Sequence, residues 1–187
     1  MTETKDAIAT LFDKIQAKKE DLIALRRAQP PLRVQDYELK RGDGSTVLLS
    51  ELFGSHDELL LIHNMGQSCN YCMLWADGLN GLVDHIQRRC ALVLSSPDEP
   101  SVMQAYADSR GWKFPLVSVG GSSFSKDVGF YVEGKGVYPG YSTFKKNADG
   151  TIDRVTFDYF GPGDDYCAIW PMFSLLPNGV NDWEPQR

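Results

Sequence analysis

The chain has 187 residues, of which 42% are hydrophobic and 24% charged, enough for one domain with a real core. Its net charge of −6 and pI near 5.0 argue against nucleic acid as a partner, because phosphate binding needs a basic field. The most apolar run, Leu59-Leu60-Leu61-Ile62, is far too short to span a bilayer. The N-terminal stretch has neither a continuous apolar segment nor a small-residue cleavage site, so a cytoplasmic protein is expected, with no membrane partner.

Residues 5–28 read as an amphipathic helix, with Ile8, Leu11, Phe12, Ile15, Leu22 and Leu25 near a period of 3.6. Pro30-Pro31 stop it. Residues 1–31 are therefore expected to form an N-terminal helical arm, a packing element that also offers a homodimer contact. Residues 32–187 form the main domain. Tyr37–Leu39 and Val47–Leu49 flank a Gly-Asp-Gly turn and predict a β-hairpin. Glu58–Asn64 is a continuous apolar run, as expected of a strand buried on both faces. Cys72–Arg89 predicts one helix, weakened by Gly78 and Gly81, and Cys90–Leu94 a second buried strand. Ser96-Pro97-Asp98-Glu99 has the pattern of a capping box with proline at the first helical position. The helix it opens runs to Arg110, and Gly111 is its left-handed stop. Phe114–Val119 predicts a further strand, and the glycine- and serine-rich stretch 120–140 a loop. Tyr141–Lys146 and Thr151–Phe160 flank Asn147-Ala148-Asp149-Gly150, a hairpin signal. The proline-rich tail has room for one helix near Tyr166–Leu175. Strands alternating with helices and ending in a hairpin imply an α/β fold with a central mixed sheet flanked by helices.

Cys69-Asn70-Tyr71-Cys72 falls at the first strand–helix junction of that sheet, which is the thioredoxin-like layout. A cysteine at a helix start lies near unsatisfied backbone N–H groups and the positive end of the helix dipole. Both favour the thiolate, which is the attacking species. Cys69 is thus the expected nucleophile and Cys72, one turn on, the resolving cysteine. Such chemistry needs no cofactor beyond the redox-active pair, and its partner is a protein or small-molecule disulfide or thiol. Zinc is the main rival, because CxxC supplies two of four ligands. The only further candidates, His56, His63, His85, Cys90 and Cys167, form no second motif. A peroxidatic site would want a proline and a hydroxyl residue at fixed spacings ahead of the cysteine. Ile62, Met65 and Gly66 offer neither, and Ser68 directly precedes Cys69, so peroxidase activity is not expected. Redox proteins of this layout carry a cis-proline facing the pair, and Pro139 is the first candidate, with Pro115 its competitor. Trp75 reads as a core residue beside the pair, and Asp77 as structural.

Several blocks resemble a thioredoxin-like family called domain of unknown function 899. They are Cys69-x-x-Cys72-x-x-Trp75-Ala76-Asp77-x-x-Asn80-Gly81; Gly111-Trp112 with Phe114-Pro115, Val117-Ser118, Gly121-Ser122 and Phe124; Pro139-Gly140 before Ser142-x-Phe144; and Pro177-x-Gly179. Between the cysteines, family members often carry Pro-Ser where Asn70-Tyr71 stands here. The Arg-Gly that precedes an Asp near their end is replaced by Gly161-Pro162-Gly163-Asp164. The resemblance implies the fold and the site. Two functions remain open: a thiol–disulfide oxidoreductase, and a binding module with inert cysteines that uses the 120–140 loop.

Overall fold

The structure, a computed structural model, describes residues 2–186, with side chains from Thr4 onward. Met1 and Arg187, the outer limits of the expected arm and domain, lie outside the described residues. In chain order the elements are helix α1 (Thr2–Arg27), strands β1 (Leu32–Val34), β2 (Glu38–Arg41) and β3 (Thr46–Leu48), a 3-10 turn (Leu49–Phe53) and β4 (Glu58–His63). Helices α2 (Asn70–Asn80) and α3 (Val83–Gln87), strand β5 (Ala91–Ser96), α4 (Pro100–Arg110), β6 (Leu116–Ser118) and α5 (Phe124–Asp127) follow. The chain then forms β7 (Tyr131–Val132), β8 (Gly136–Val137), β9 (Gly140–Lys146), β10 (Ile152–Tyr159) and α6 (Ile169–Ser174).

Eight strands make one mixed sheet in the order β1-β10-β9-β4-β5-β6-β2-β3. β4, β5 and β6 are parallel, and β9 runs antiparallel to β4 with His63 opposite Gly140. The expected burial of β4 on both faces holds. Leu59 and Leu61 pack with Phe53, Phe124, Phe130 and Phe144 on one side. Ile62 packs on the other with Trp75, Ala76, Met103 and Ala107. Successive right-handed crossovers moving one way across a sheet stay on one face, and α2, α3 and α4 all contribute to this second cluster.

Both expected hairpins form, β2–β3 and β9–β10. Elsewhere the structure differs from the sequence reading for local reasons. The helix expected over 72–89 is two helices, broken at Gly81-Leu82. Gly78 and Gly81 weaken it, and the Asn80 side chain ties its end to the next connection, accepting from Lys113 N–H (2.8 Å) and donating to the Gly111 carbonyl (3.0 Å). The capping box at 96–99 does not form. Ser96 stays in β5, Glu99 makes no side-chain cap, and Pro100 takes the first helical turn. A proline opens α4 as expected, but a different one. Gly111 does close α4 in the left-handed region, with φ 66° and ψ 32°. β1 was unexpected, since three residues carry no periodic signal. It is held by its partner β10, with Arg33 Nε bonded to Asp153 at 2.6 Å. The 120–140 stretch is mostly loop but contains α5 and the β7–β8 ribbon.

His63 ends β4 inside the first core cluster. It is fully buried, stacks on Phe130 with centroids 3.6 Å apart, and its Nε2 lies 2.9 Å from Ser142 Oγ. Burial, with a lesser contribution from the Arg154 charge, lowers its pKa to about 3. Between that value and the ordinary 6.5 the unfolded chain binds a proton that the folded chain does not, so stability rises with pH across this window. Urea unfolding of the wild type should therefore lose about 1.4 kcal/mol per pH unit from this group as pH falls from 6 to 4. In His63→Asn that share of the slope should vanish.

Candidate active site

β4 delivers the chain to a tight turn, residues 64–68, and α2 begins immediately after Cys69. Cys69 is the N-cap residue, with extended backbone (φ −93°, ψ 104°), and its sulfur accepts from Cys72 N–H at 3.2 Å. Helix N-termini leave backbone N–H groups without intrahelical partners, and an oxygen usually caps them. Here a sulfur does so, at the positive end of the helix dipole. Cys69 is half-buried, and Cys72, one turn on, is buried. Cys72 Sγ accepts from Met65 N–H at 3.4 Å. Its hydrogen bond to the Cys69 sulfur, followed by burial, pushes the Cys72 thiol far above the ordinary cysteine range.

The turn ahead of the pair is held by residues that the sequence reading did not single out. Asn64 is buried and its Oδ1 accepts from Gly66 N–H at 2.7 Å. Asp98, from the β5–α4 connection, accepts from Gln67 N–H at 2.7 Å and from Ser96 Oγ at 3.1 Å. Gly66 has φ +100°, and a Cβ there would lie 2.7 Å from Asp98 Oδ1, so both backbone and space demand glycine. The signal was present in Gly66 standing three residues before Cys69. Asp98 was hidden because its sequence context reads equally well as a helix cap.

Pro139 precedes β9 and so ends beside the last residues of β4, with its carbonyl accepting from Phe160 N–H at 3.0 Å. No peptide bond among the described residues is cis, which corrects the cis expectation for both Pro139 and Pro115. The close fit falls on the next residue instead. A Cβ on Gly140 would lie 2.3 Å from the Asp158 carbonyl and 2.7 Å from the Phe130 ring. Trp75 is buried and stacks on Phe160 at 5.1 Å. Tyr71, between the cysteines, leans toward Trp75 and Trp170, each 6.2 Å away.

The extra cysteines and histidines weighed as metal ligands are dispersed. His63 faces the core on the side of the sheet opposite α2. His56 precedes β4 and Cys90 precedes β5, both at the far end of the parallel strands from Cys69, and His85 is exposed on α3. Cys167 is packed in the second core cluster, where burial pushes its thiol up. Among the described residues no three or more His, Cys, Asp or Glu side chains converge in a metal-holding arrangement. No helix among them is long and apolar enough to cross a membrane.

The sequence profile of the family described as "Bacterial protein of unknown function (DUF899)" matches residues 5–186. The chain belongs to this family. No curated protein matches it. Among solved structures it resembles peroxidoxin BcpB from Mycobacterium tuberculosis at 21% identity and TM-score 0.56, over 69% of this chain and 84% of that one. Peroxiredoxin Q from Xanthomonas campestris aligns at 21% identity and TM-score 0.53, over 66% and 80%. Reduced Prx3 from Vibrio vulnificus, in complex with hydrogen peroxide, aligns at 16% identity and TM-score 0.56, over 71% and 87%. The fold is thus thioredoxin-like.

Two of the DUF899-like blocks meet each other in this fold. Asp77 on α2 forms an ion pair with Arg110 and accepts from Trp112 Nε1 at 2.8 Å. With the Asn80 bonds described above, it clamps α2 to the Gly111–Lys113 segment. Asp77 is therefore structural, as its position on the helix suggested. The Asp of the departing Gly161–Asp164 segment closes a turn, accepting from Gly161, Tyr166 and Cys167 N–H groups.

Gly66→Ala should strain the turn at both its dihedral and its contact with Asp98. It should destabilise the chain by about 1–3 kcal/mol and slow alkylation of Cys69 by iodoacetamide. A thermal melt and a timed mass-spectrometric assay check both.

Proposed function

We propose that the protein is a thiol–disulfide oxidoreductase in which Cys69 attacks and Cys72 resolves. The observation that carries this reading is the half-buried Cys69 sulfur at the α2 N-cap, bonded to Cys72 N–H, with the buried Cys72 thiol one turn on and its pKa raised. The donors and the dipole stabilise negative charge on Cys69. The neighbouring proton-bearing thiol both donates to that charge and waits within reach. An inert pair would have no use for this division of roles.

In the forward direction the Cys69 thiolate attacks one sulfur of a substrate disulfide. A Cys69–substrate bond forms, and the second substrate sulfur leaves with the electron pair and takes up a proton. Once Cys69 is bound covalently it no longer accepts from Cys72, and one cause of the raised Cys72 pKa is removed. Cys72 then loses its proton and attacks Cys69 Sγ, releasing the first substrate sulfur as a thiol. The substrate gains two electrons, the protein holds a Cys69–Cys72 disulfide, and an external dithiol restores it.

Peroxide as oxidant is the second reading, favoured by the fold shared with peroxidoxin BcpB and with the peroxide complex of Prx3. The same thiolate would attack the O–O bond, giving a sulfenic acid and an alcohol or water. Cys72 would condense with it and release water. Ile62, Met65 and Gly66 still lack the proline and hydroxyl ahead of Cys69, so disulfide exchange ranks first.

With dithiothreitol as donor and a mixed-disulfide substrate, Cys69→Ser should lose all turnover above background. Reduced, desalted Cys72→Ser, given the substrate with no external thiol, should stop after one event and accumulate an adduct on Cys69, visible as added mass. Undiminished turnover in Cys69→Ser would overturn the assignment. A Cys72→Ser protein that reacts with hydrogen peroxide far faster than with disulfides, trapped by dimedone, would put the second reading first.

A further inference from the structure

Helix α1 shows its apolar residues to solvent. Ile8, Leu11, Phe12, Ile15, Leu22, Ile23 and Leu25 are each 44% to 68% exposed. Its attachment to the body of the chain is polar: Lys19 Nζ meets Asp165 at 2.8 Å and Arg26 meets Asp158 at 2.7 Å, with Leu22 and Ile23 at the edge of a groove that Tyr141 and Tyr166 also line. A 26-residue helix held in this way gains little from its own chain, and isolated helices owe their stability in proteins mostly to packing of an apolar face.

The spacing narrows the choice of what covers it. Ile8, Leu11, Ile15, Leu22 and Leu25 alternate steps of three and four, with only Lys18 interrupting. That is the seven-residue repeat of a coiled-coil seam, narrower than the stripe of a helix lying on a sheet. We propose that α1 pairs antiparallel with α1 of a second copy of this chain.

Charge sets the orientation. A parallel, in-register pair would face Lys18 with Lys18 inside the seam and bring Lys14 near Lys19 of the other helix. The antiparallel pair places Ile15 against Lys18, letting the lysine stem cover apolar surface while its ammonium reaches water. It also sets Lys14 of each helix beside Asp21 of the other, on the flank where coiled coils place paired charges. The area is adequate. Side chains of this size hide on the order of 100 Å² each when buried, so the five apolar seam residues, with Phe12 on the flank and the Lys18 stem, approach the roughly 800 Å² per partner of a specific dimer. A lipid surface fits less well. α1 carries six basic and five acidic residues, whereas helices that lie on membranes are rich in Lys and Arg on the polar face.

Light scattering on the full chain should give twice the 20.9 kDa protomer mass at micromolar concentration. Ile15→Glu should give the protomer mass with Cys69 reactivity intact, because Ile15 lies in the exposed part of α1 and Cys69 caps α2. Lys18→Leu removes the one polar seam position and should tighten the dimer about tenfold or more, an effect with no counterpart if α1 were only a strut. A monomeric wild type at high concentration would overturn the proposal. So would a dimer indifferent to Ile15→Glu, or adsorption of the monomer to phosphatidylserine vesicles in place of self-association.

Discussion

The arrangement at the start of α2 rests on a sulfur standing where an oxygen ordinarily caps a helix. Cys69 Sγ takes the Cys72 N–H, at a helix end that favours negative charge. This places a demand on everything before it. The chain must leave β4 and turn sharply, with Cys69 extended and α2 beginning one residue later. Asn64 and Asp98 meet that demand by taking the N–H groups of Gly66 and Gln67, and Gly66 leaves room for the Asp98 carboxylate. The geometry at Cys69 therefore depends on the connection after β5 as much as on its own segment.

The same logic explains the DUF899-like blocks around the pair without giving each a chemical role. Asp77 and Asn80 fix the far end of α2 to the segment after α4, and Trp75 fills the space between helix and Phe160. Gly140 lets β9 pass under Phe130. These residues fix α2 and β9 against their neighbours. His63, one residue before the turn, is held neutral by burial on the opposite face, which separates it from the thiols despite its closeness in sequence.

Legibility from sequence followed the range of the forces involved. β4 was readable from four apolar residues in a row. Both long hairpins were readable from their turns, and α4 from its glycine stop. Cys69 and Cys72 were readable because a three-residue spacing at a strand end constrains what a helix can do. The break between α2 and α3 was visible only as two glycines, since the bond that completes it comes from Lys113, thirty-three residues away. Asp98 was misread for a related reason. Ser-Pro-Asp-Glu satisfies a helix cap and a loop anchor equally well, and the choice belongs to Gly66 and Gln67 across the fold.

The sequence alone determined which residues would be apolar on two faces, where strands alternate with helices, and that one cysteine pair sits at a junction between them. These follow from local periodicity and turn chemistry, which act over a few residues. Only the tertiary structure decided that Cys69 is half-buried while Cys72 is buried, that Pro139 is trans, and that most apolar residues of α1 are left exposed by its own chain. Each of these depends on burial and on hydrogen-bond partners brought together from distant segments, and no local pattern encodes what a side chain will meet across a sheet.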